Sequence, residues 1–299
     1  MKDFVAKHIP KFMSRPIIAA GKRTKRAYRE MSRSLKYKQA PAFKELHVLD
    51  LSFWLMLKPR QNGCIDEVIT TTGTWETELG AALKKHVRTG DVCVDIGANI
   101  GYHSMFMAAH LAHTGKVYAF EPIKALCDQI TVSAAKNNFS NIILSNMALG
   151  EQPGTMSMSV RKENMGESSI GTYGDLRLAP ISSTETITVT TLDAALGSET
   201  AVNVIKIDTE GYEFEALKGG KNILESHHPL IFMEFSPMFY ENDYKGKSEA
   251  FAAYLMSLGY SFFTLDEQPL DLMAWTKQHA GIDEMAQIDI IGKMLKNDQ

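Results

Sequence analysis

Long apolar runs are missing from this 299-residue chain, and no stretch approaches the roughly 20 residues needed to cross a bilayer. The start, MKDFVAKHIPKFMSRP, lacks the continuous apolar segment of a secretory signal, although its basic character leaves an organellar transit peptide open. Cysteine is scarce: Cys64, Cys93 and Cys127 are scattered and form no C-x-x-C pair. Such an odd set counts against a disulfide framework or a zinc site and implies reduced thiols in a cytoplasmic setting. H-E-x-x-H, the Walker lysine and G-x-S-x-G are absent too, so protease, NTPase and hydrolase readings have no support.

What is present is an ordinary globular composition, 44% hydrophobic, with a net charge of −3. That charge hides an asymmetry: residues 1–45 hold 13 Lys or Arg against 3 Asp or Glu, and the remainder holds 19 against 32. A basic arm on an acidic body points to an anionic surface for the arm, or else to a solvated terminus. Val48–Leu57 (VLDLSFWLML) is the most apolar stretch outside the core. It reads as a strand or helix packed on the domain, or as a surface-seeking segment beside the arm. We therefore expect an extension over residues 1–58, with a peripheral membrane contact as its suggested partner, and a domain over 59–299.

That domain is organised around Asp91–Ser104, DVCVDIGANIGYHS. Val92, Cys93, Val94 and Ile96 form a short run suited to a strand buried on both faces. A turn through Gly97, Asn99 and Gly101 leads into a helical pattern, and glycine there permits close backbone approach with amide donors at a helix start. A dinucleotide fingerprint needs G-x-G-x-x-G, but Asn99 and Tyr102 stand at its second and third glycine positions, which turns the site away from pyrophosphate. Asp95 would repel phosphate and suit an ammonium group. Glu121 lies about 20 residues on, at the next strand end, where an acid accepts hydrogen bonds from ribose hydroxyls. S-adenosyl-L-methionine combines these features.

The strands Lys116–Phe120, Asn141–Ser145, Val202–Asp208, Pro229–Phe235, Tyr260–Leu265 and Asp289–Met294 alternate with helices at 75–88, 123–137, 213–217, around Ile223, and 247–258. This order predicts an α/β, doubly wound, mostly parallel seven-stranded sheet with a hairpin-like final pair. Between the third and fourth strands, Thr155–Val160 and Glu185–Thr191 alternate with period two. The polar residues 161–184 between them read as a lid or substrate loop, or as a surface hairpin.

Lys206, Asp208 and Glu210 end the fourth strand in IKIDTEG. Alternation puts Lys206 and Asp208 on one face, and ionisable residues at a buried strand end are costly unless paired or used. Asp208 or Glu210 is the candidate base for a substrate hydroxyl, with Lys206 holding Asp208 ionised. Glu234 faces the same cleft. With Asp208 and Glu210 it can hold a divalent metal such as Mg²⁺ or simply bind hydroxyls. His103, in the first turn of the glycine-turn helix, can touch the cleft, while His227 and His228 cap the loop before Pro229.

DIGANIGYHS, AFEP, IKIDTEGYEFEALKGG and PLIFMEF together resemble the FkbM-type methyltransferases, over about residues 70–236 by motif and on to 294 by strand order. The resemblance implies a class I methyltransferase fold with a reversed last strand. In it the segment Asp95–Gly101 holds the methionine part of the cofactor, Glu121 holds ribose, and Asn146 contacts adenine. The segment Asn164–Ile170, with Ser168 and Ser169, resembles the family's loop near the acceptor. The expected activity is S-adenosylmethionine-dependent O-methylation of a sugar, glycan or natural-product hydroxyl. A non-catalytic scaffold that keeps the fold is one alternative. A nucleic-acid methyltransferase ranks below it, since the body lacks a basic stripe.

Overall fold

Period-two and period-3.6 patterns in the sequence become layers in the structure, a computed structural model that describes residues 43–58, 64–162, 164–170, 180–199, 201–237, 247–279 and 286–294. The chain divides into units 1–41 and 42–299. The first lies outside the described residues, and with it residues 1–41 of the basic arm, which the sequence suggests is a helical extension.

The second unit opens with strands β1 (Phe43–Val48) and β2 (Leu51–Met56), paired antiparallel as a hairpin. Helices α1 (Cys64–Thr72) and α2 (Thr77–His86) follow. Then strands β3 (Val92–Ile96), β4 (Lys116–Phe120) and β5 (Ile142–Ser145) alternate with α3 (Tyr102–Leu111) and α4 (Lys124–Asn137). An inserted set comprises β6 (Ala148–Leu149), β7 (Gly154–Val160), β8 (Ser169–Ile170) and β9 (Ser183–Thr190). After α5 (Leu192–Leu196) come β10 (Val204–Ile207), α6 (Glu213–Lys218), α7 (Lys221–His227) and β11 (Leu230–Phe235). The described chain closes with α8 (Lys247–Ser257), β12 (Tyr260–Thr264), β13 (Pro269–Leu270), α9 (Leu272–His279) and β14 (Ile288–Met294).

The main sheet runs β13-β12-β14-β11-β10-β3-β4-β5. β5, β4, β3, β10 and β11 are mutually parallel, and β14 runs antiparallel between β11 and β12. The seven expected strands and the reversed last one are present, and the two-residue β13 adds an eighth at the edge. Cys93, Val94, Ile205, Ile207 and Ile231 are all fully buried or nearly so, as a sheet covered by helices on both faces requires. The insertion folds into its own sheet, ordered β6-β9-β7-β8. Its expected pair of alternating strands is β7 and β9, joined antiparallel from Gly154↔Val189 to Val160↔Ser183. Residues 163 and 171–179 of the expected lid lie outside the described residues.

Two expectations about the N-terminal region change. VLDLSFWLML supplies the end of β1 and all of β2, and Leu46, Val48, Phe53 and Leu55 are buried. Phe53 meets the rings of Tyr102 and Phe106 on α3 edge-on, at 5.7 and 6.4 Å between centroids. The surface-seeking alternative therefore fails for these residues, because their apolar face is already covered. The backbone of β2 is also tied to α4. Trp54 N–H donates to Asn137 Oδ1 at 2.7 Å, and Met56 N–H donates to Ser133 Oγ at 2.9 Å. The boundary expected at residue 58 thus falls inside the compact unit. No helix among the described residues is long and apolar enough to cross a membrane.

Candidate active site

The C-terminal ends of β3, β4, β10 and β11 open on one cleft, the usual ligand edge of such a sheet. Its shape begins with the turn after β3. Gly97, Asn99 and Gly101 all have left-handed backbones, with φ of 78°, 52° and 84°. Asn tolerates that region as few residues besides glycine do, which explains how Asn99 replaces a glycine. A Cβ on Gly101 would come within 2.9 Å of Ile130 on α4. One on Gly97 would lie 1.9 Å from the Asp208 carbonyl oxygen. The glycines therefore let β10 and α4 approach the turn. The N–H groups of Gly97 and Ala98 both donate to Phe120 O, and that of Gly101 donates to Ala98 O.

Glu121 follows β4 and is buried. Its Oε2 accepts the Asn99 N–H at 2.9 Å and its Oε1 accepts the Ile123 N–H at 2.8 Å. The carboxylate thus ties the turn to the start of α4. Burial raises its pKa to about 7 against the lowering effect of those two amides. Beyond it lies a narrow apolar slot lined by Phe120, Ile123, Leu126, Leu149, Met158 and Ile170, with Ser168 on its rim. The insertion supplies Leu149, Met158, Ser168 and Ile170, so the second sheet forms one wall.

A wider cleft of about 400 Å³ adjoins the slot and shares Gly97, Asn99, Gly166, Asp208 and Glu210 with it. Its walls are acidic: Glu76, Glu167, Asp208, Glu210 and Glu234 line it, with Lys206 and His103 as its basic side chains. Lys206 stands opposite Asp95 in the pairing of β10 with β3. Its Nζ lies 3.5 Å from Asp95 Oδ1 and 3.7 Å from Asp208 Oδ2. Burial disfavours the ammonium, yet Asp95, Asp208 and Glu76 outweigh it and raise the Lys206 pKa. For Asp208 the order is reversed: burial raises its pKa to about 6 against the pull of Lys206. Burial, then Asp208, holds Glu210 well above the carboxylate range. Burial, then Asp208 and Asp289, lifts Glu234 to about 9. Gln287 Nε2 donates to Glu234 Oε1.

Most of the expected site residues meet here, but three are placed otherwise. Asp95 is fully buried beneath the turn, where its Oδ2 accepts from Ser104 Oγ at 2.6 Å. It does not line the cleft, so it is an anchor for Lys206 rather than a partner for a ligand's ammonium group. Asn146 donates to the carbonyls of Glu121 and Pro122 at 3.0 and 2.8 Å, bracing the loop after β4 outside the slot lining. Ser169 is buried in β8, also outside the lining, and Ser168 Oγ accepts the Arg161 N–H at 3.0 Å. His103 does reach the cleft, with its Nε2 2.8 Å from Glu76 Oε2. His227 Nδ1 accepts the Val202 N–H at 3.1 Å, so it ties the end of α7 to the segment before β10 and not to the loop before Pro229. Glu76 and Glu213 are additions. Glu213 Oε1 accepts from Thr209 N–H, Thr209 Oγ1 and Gly211 N–H, which shapes the loop that carries Glu210. Among the described residues, no group of three or more His, Cys, Asp or Glu is placed to hold a metal ion.

A doubly wound sheet with its last strand reversed, a glycine turn after the central strand and an acid at the next strand end define the class I methyltransferase fold. The family described as Methyltransferase FkbM domain matches residues 95–267, more than half of the chain. This chain belongs to that family. Hexuronic acid methyltransferase AglP of Haloferax volcanii is 28% identical over 157 residues, 52% of this chain and 61% of AglP. The chain thus aligns with under two thirds of that relative's length. Among solved structures, a methyltransferase FkbM from Methylobacillus flagellatus is 15% identical, covering 78% of this chain and 56% of that one at a TM-score of 0.42. M. jannaschii TYW2, solved with AdoMet, is 10% identical, covering 86% and 89% at a TM-score of 0.40.

Proposed function

We propose that this methyltransferase uses S-adenosylmethionine and transfers its methyl group to a hydroxyl of a sugar or glycan. The observation that carries this reading is the junction at Gly97, Asn99 and Asp208, where the apolar slot that holds Glu121 meets a cleft walled by carboxylates. The donor set suits a nucleoside without phosphates. The slot offers apolar faces to a base, Glu121 offers acceptor oxygens to ribose hydroxyls, and the acidic cleft favours positive charge over negative. Lys206 and His103, the basic side chains among the described residues of the cleft, are both paired with carboxylates, so neither offers a pyrophosphate a spare counter-charge. When bound, the cofactor supplies a methyl group on a positively charged sulfur. Phe120, Glu121, Ile123 and Leu149 would hold its nucleoside end, and the Gly97–Gly101 turn its amino-acid end.

The protein's own contribution is to orient the acceptor and take up its proton. Asp208 is half-buried where the slot and the cleft adjoin, and its carboxylate lies 3.7 Å from Lys206 Nζ. A carboxylate with a pKa of about 6 is mostly ionised at neutral pH, yet more basic than an ordinary aspartate. It accepts the hydroxyl proton at Oδ as the oxygen gains the methyl. Acidic walls also favour a hydroxyl, which donates hydrogen bonds, over a carboxylate as the acceptor group. The sugar class draws support from the name of the AglP relative.

The test is tritiated-methyl transfer from S-adenosylmethionine to methyl glycosides, comparing neutral sugars with uronic acids. Asp208→Asn should lower turnover at least about 100-fold, the usual share of a general base, with calorimetric cofactor affinity held within a few-fold. Full activity of that variant removes Asp208 from the mechanism. Absence of cofactor binding by the unmodified chain overturns the cofactor.

A further inference from the structure

Glu76 occupies a position that local chemistry disfavours twice. It is the residue before α2, with φ 40° and ψ 57°, the left-handed region that glycine adopts freely and glutamate rarely does. It is also the N-cap of that helix, where Ser, Thr, Asp, Asn or Gly is preferred, and its side chain makes no capping bond. Local structure thus gives no reason for a glutamate here. Non-glycine residues held in such conformations concentrate at functional sites.

The side chain has another destination. Its Oε2 lies 2.8 Å from Nε2 of His103, which is 95% buried in the first turn of α3 and packed edge-on against Tyr102. Glu76, His103 and Asp208 line the same cleft. We propose that Glu76 is a positioning residue of the methyl-transfer site, clamped on His103 so that the pair acts on Asp208 within the cleft they share. This rests on Asp208 as the group that meets the acceptor.

The charges around Asp208 support the direction of the effect. Lys206 on its own strand stabilises the carboxylate, and a protonated His103 on α3 does the same. Glu76 before α2 and Glu213 on α6 oppose it. Glu210 in the same loop, Glu234 on β11 and Asp289 on β14 also share its field. Glu76 itself differs from Asp208, Glu210 and Glu234. Burial disfavours its charge, but the hydrogen bond and charge of His103, with Lys206, lower its pKa. The negative charge of Glu76 raises the Asp208 pKa and the charge that His103 carries when protonated lowers it, so the two pull Asp208 in opposite directions.

The experiment uses the full chain and needs no acceptor. The carboxyl ¹³C shift of Asp208, assigned by its loss in Asp208→Asn, is followed across pH in the unmodified protein and in Glu76→Gln, Glu76→Gly and His103→Gln. The midpoint should fall by about half a unit or more in both Glu76 variants and rise in His103→Gln. Glu76→Gly should melt no lower than Glu76→Gln, since glycine relieves the left-handed backbone. Midpoints that stay in place, or that move the same way when either partner is changed, overturn the proposal. So does a Glu76→Gly protein that melts below Glu76→Gln, because the backbone is then unstrained. Calorimetry with S-adenosylmethionine on the same samples reports separately on the cofactor reading.

Discussion

The carbonyl oxygen of Asp208 sits where a side chain on Gly97 would begin, 1.9 Å from the position of its Cβ. The two loops that build the site, after β3 and after β10, are thereby locked together by backbone contact. Asp208 N–H also donates to Ile96 O at 3.0 Å, which fixes the residue on both sides.

Gly97→Ala should consequently be severe. The backbone at φ 78° is strained for any other residue and the clash is with main chain, so nothing can yield cheaply. A loss of about 3 kcal/mol or more is expected, at the diagnostic end of single-site effects. Urea titration checks it, and a change under 1 kcal/mol (about one pKa unit's worth) would mean that the loops are free to separate.

Lys206 and Asp95 form a buried pair whose halves need each other. Lys206→Met leaves Asp95 fully buried without its cation, which costs about 3–5 kcal/mol in comparable cases. Adding Asp95→Asn should recover much of that loss, because the double variant buries no lone charge. Equal stability of the single and double variants in chemical denaturation would show that the pair is not coupled.

Glu234 gives the ligand-free protein an unusual pH dependence. Burial, then Asp208 and Asp289, raises its folded-state pKa to about 9 from a model-peptide value of 4.5. The folded state then binds more protons than the unfolded one between those values, so stability falls as pH rises through that window. Glu121, Asp208 and Asp289, raised by burial to about 7, 6 and 6, act in the same direction over the lower part of it. Glu234→Gln should match the unmodified protein near pH 4 and be more stable at pH 8, by about 1 kcal/mol or more, the scale of one pKa unit. Melting curves at the two pH values decide it. A variant less stable at pH 8 would reverse the sign.

For Glu121 the readout is cofactor affinity. Glu121→Ala should weaken S-adenosylmethionine binding at least about tenfold, or 1.4 kcal/mol. In the unmodified protein binding should tighten as pH passes upward through 7, where the carboxylate ionises. Affinity unchanged by the substitution and flat with pH removes Glu121 from the nucleoside site.

The sheet was legible because its strands are short apolar runs separated by glycine, proline and polar turns, and because Gly97 and Pro122 mark the joints. The α1 helix was not. Its Val68-Ile69-Thr70-Thr71-Thr72 end is β-branched and reads against a helix, and packing overrides that preference. Lys206, Asp208 and Glu121 could be placed in the site because each ends a recognisable strand. Asp95 was assigned to a ligand because its partner depends on the register between β3 and β10, and register is a tertiary fact that one chain of letters does not carry. Glu76 was missed for a related reason. Nothing in Trp75-Glu76-Thr77 signals a left-handed backbone, and His103 lies 27 residues away.

The hairpin of β1 and β2 has a consequence for anyone who trims this protein. It rivets α3 to α4 from behind, through Phe53 on one side and through Trp54, Met56, Ser133 and Asn137 on the other. Those helices begin where the glycine turn ends and where Glu121 is anchored, so the rivet sets the spacing of the two halves of the nucleoside site from the opposite side of the molecule. A clone started at residue 59 would bare the apolar backs of both helices to water and leave those halves unfastened. One started at residue 42 would keep the fastening.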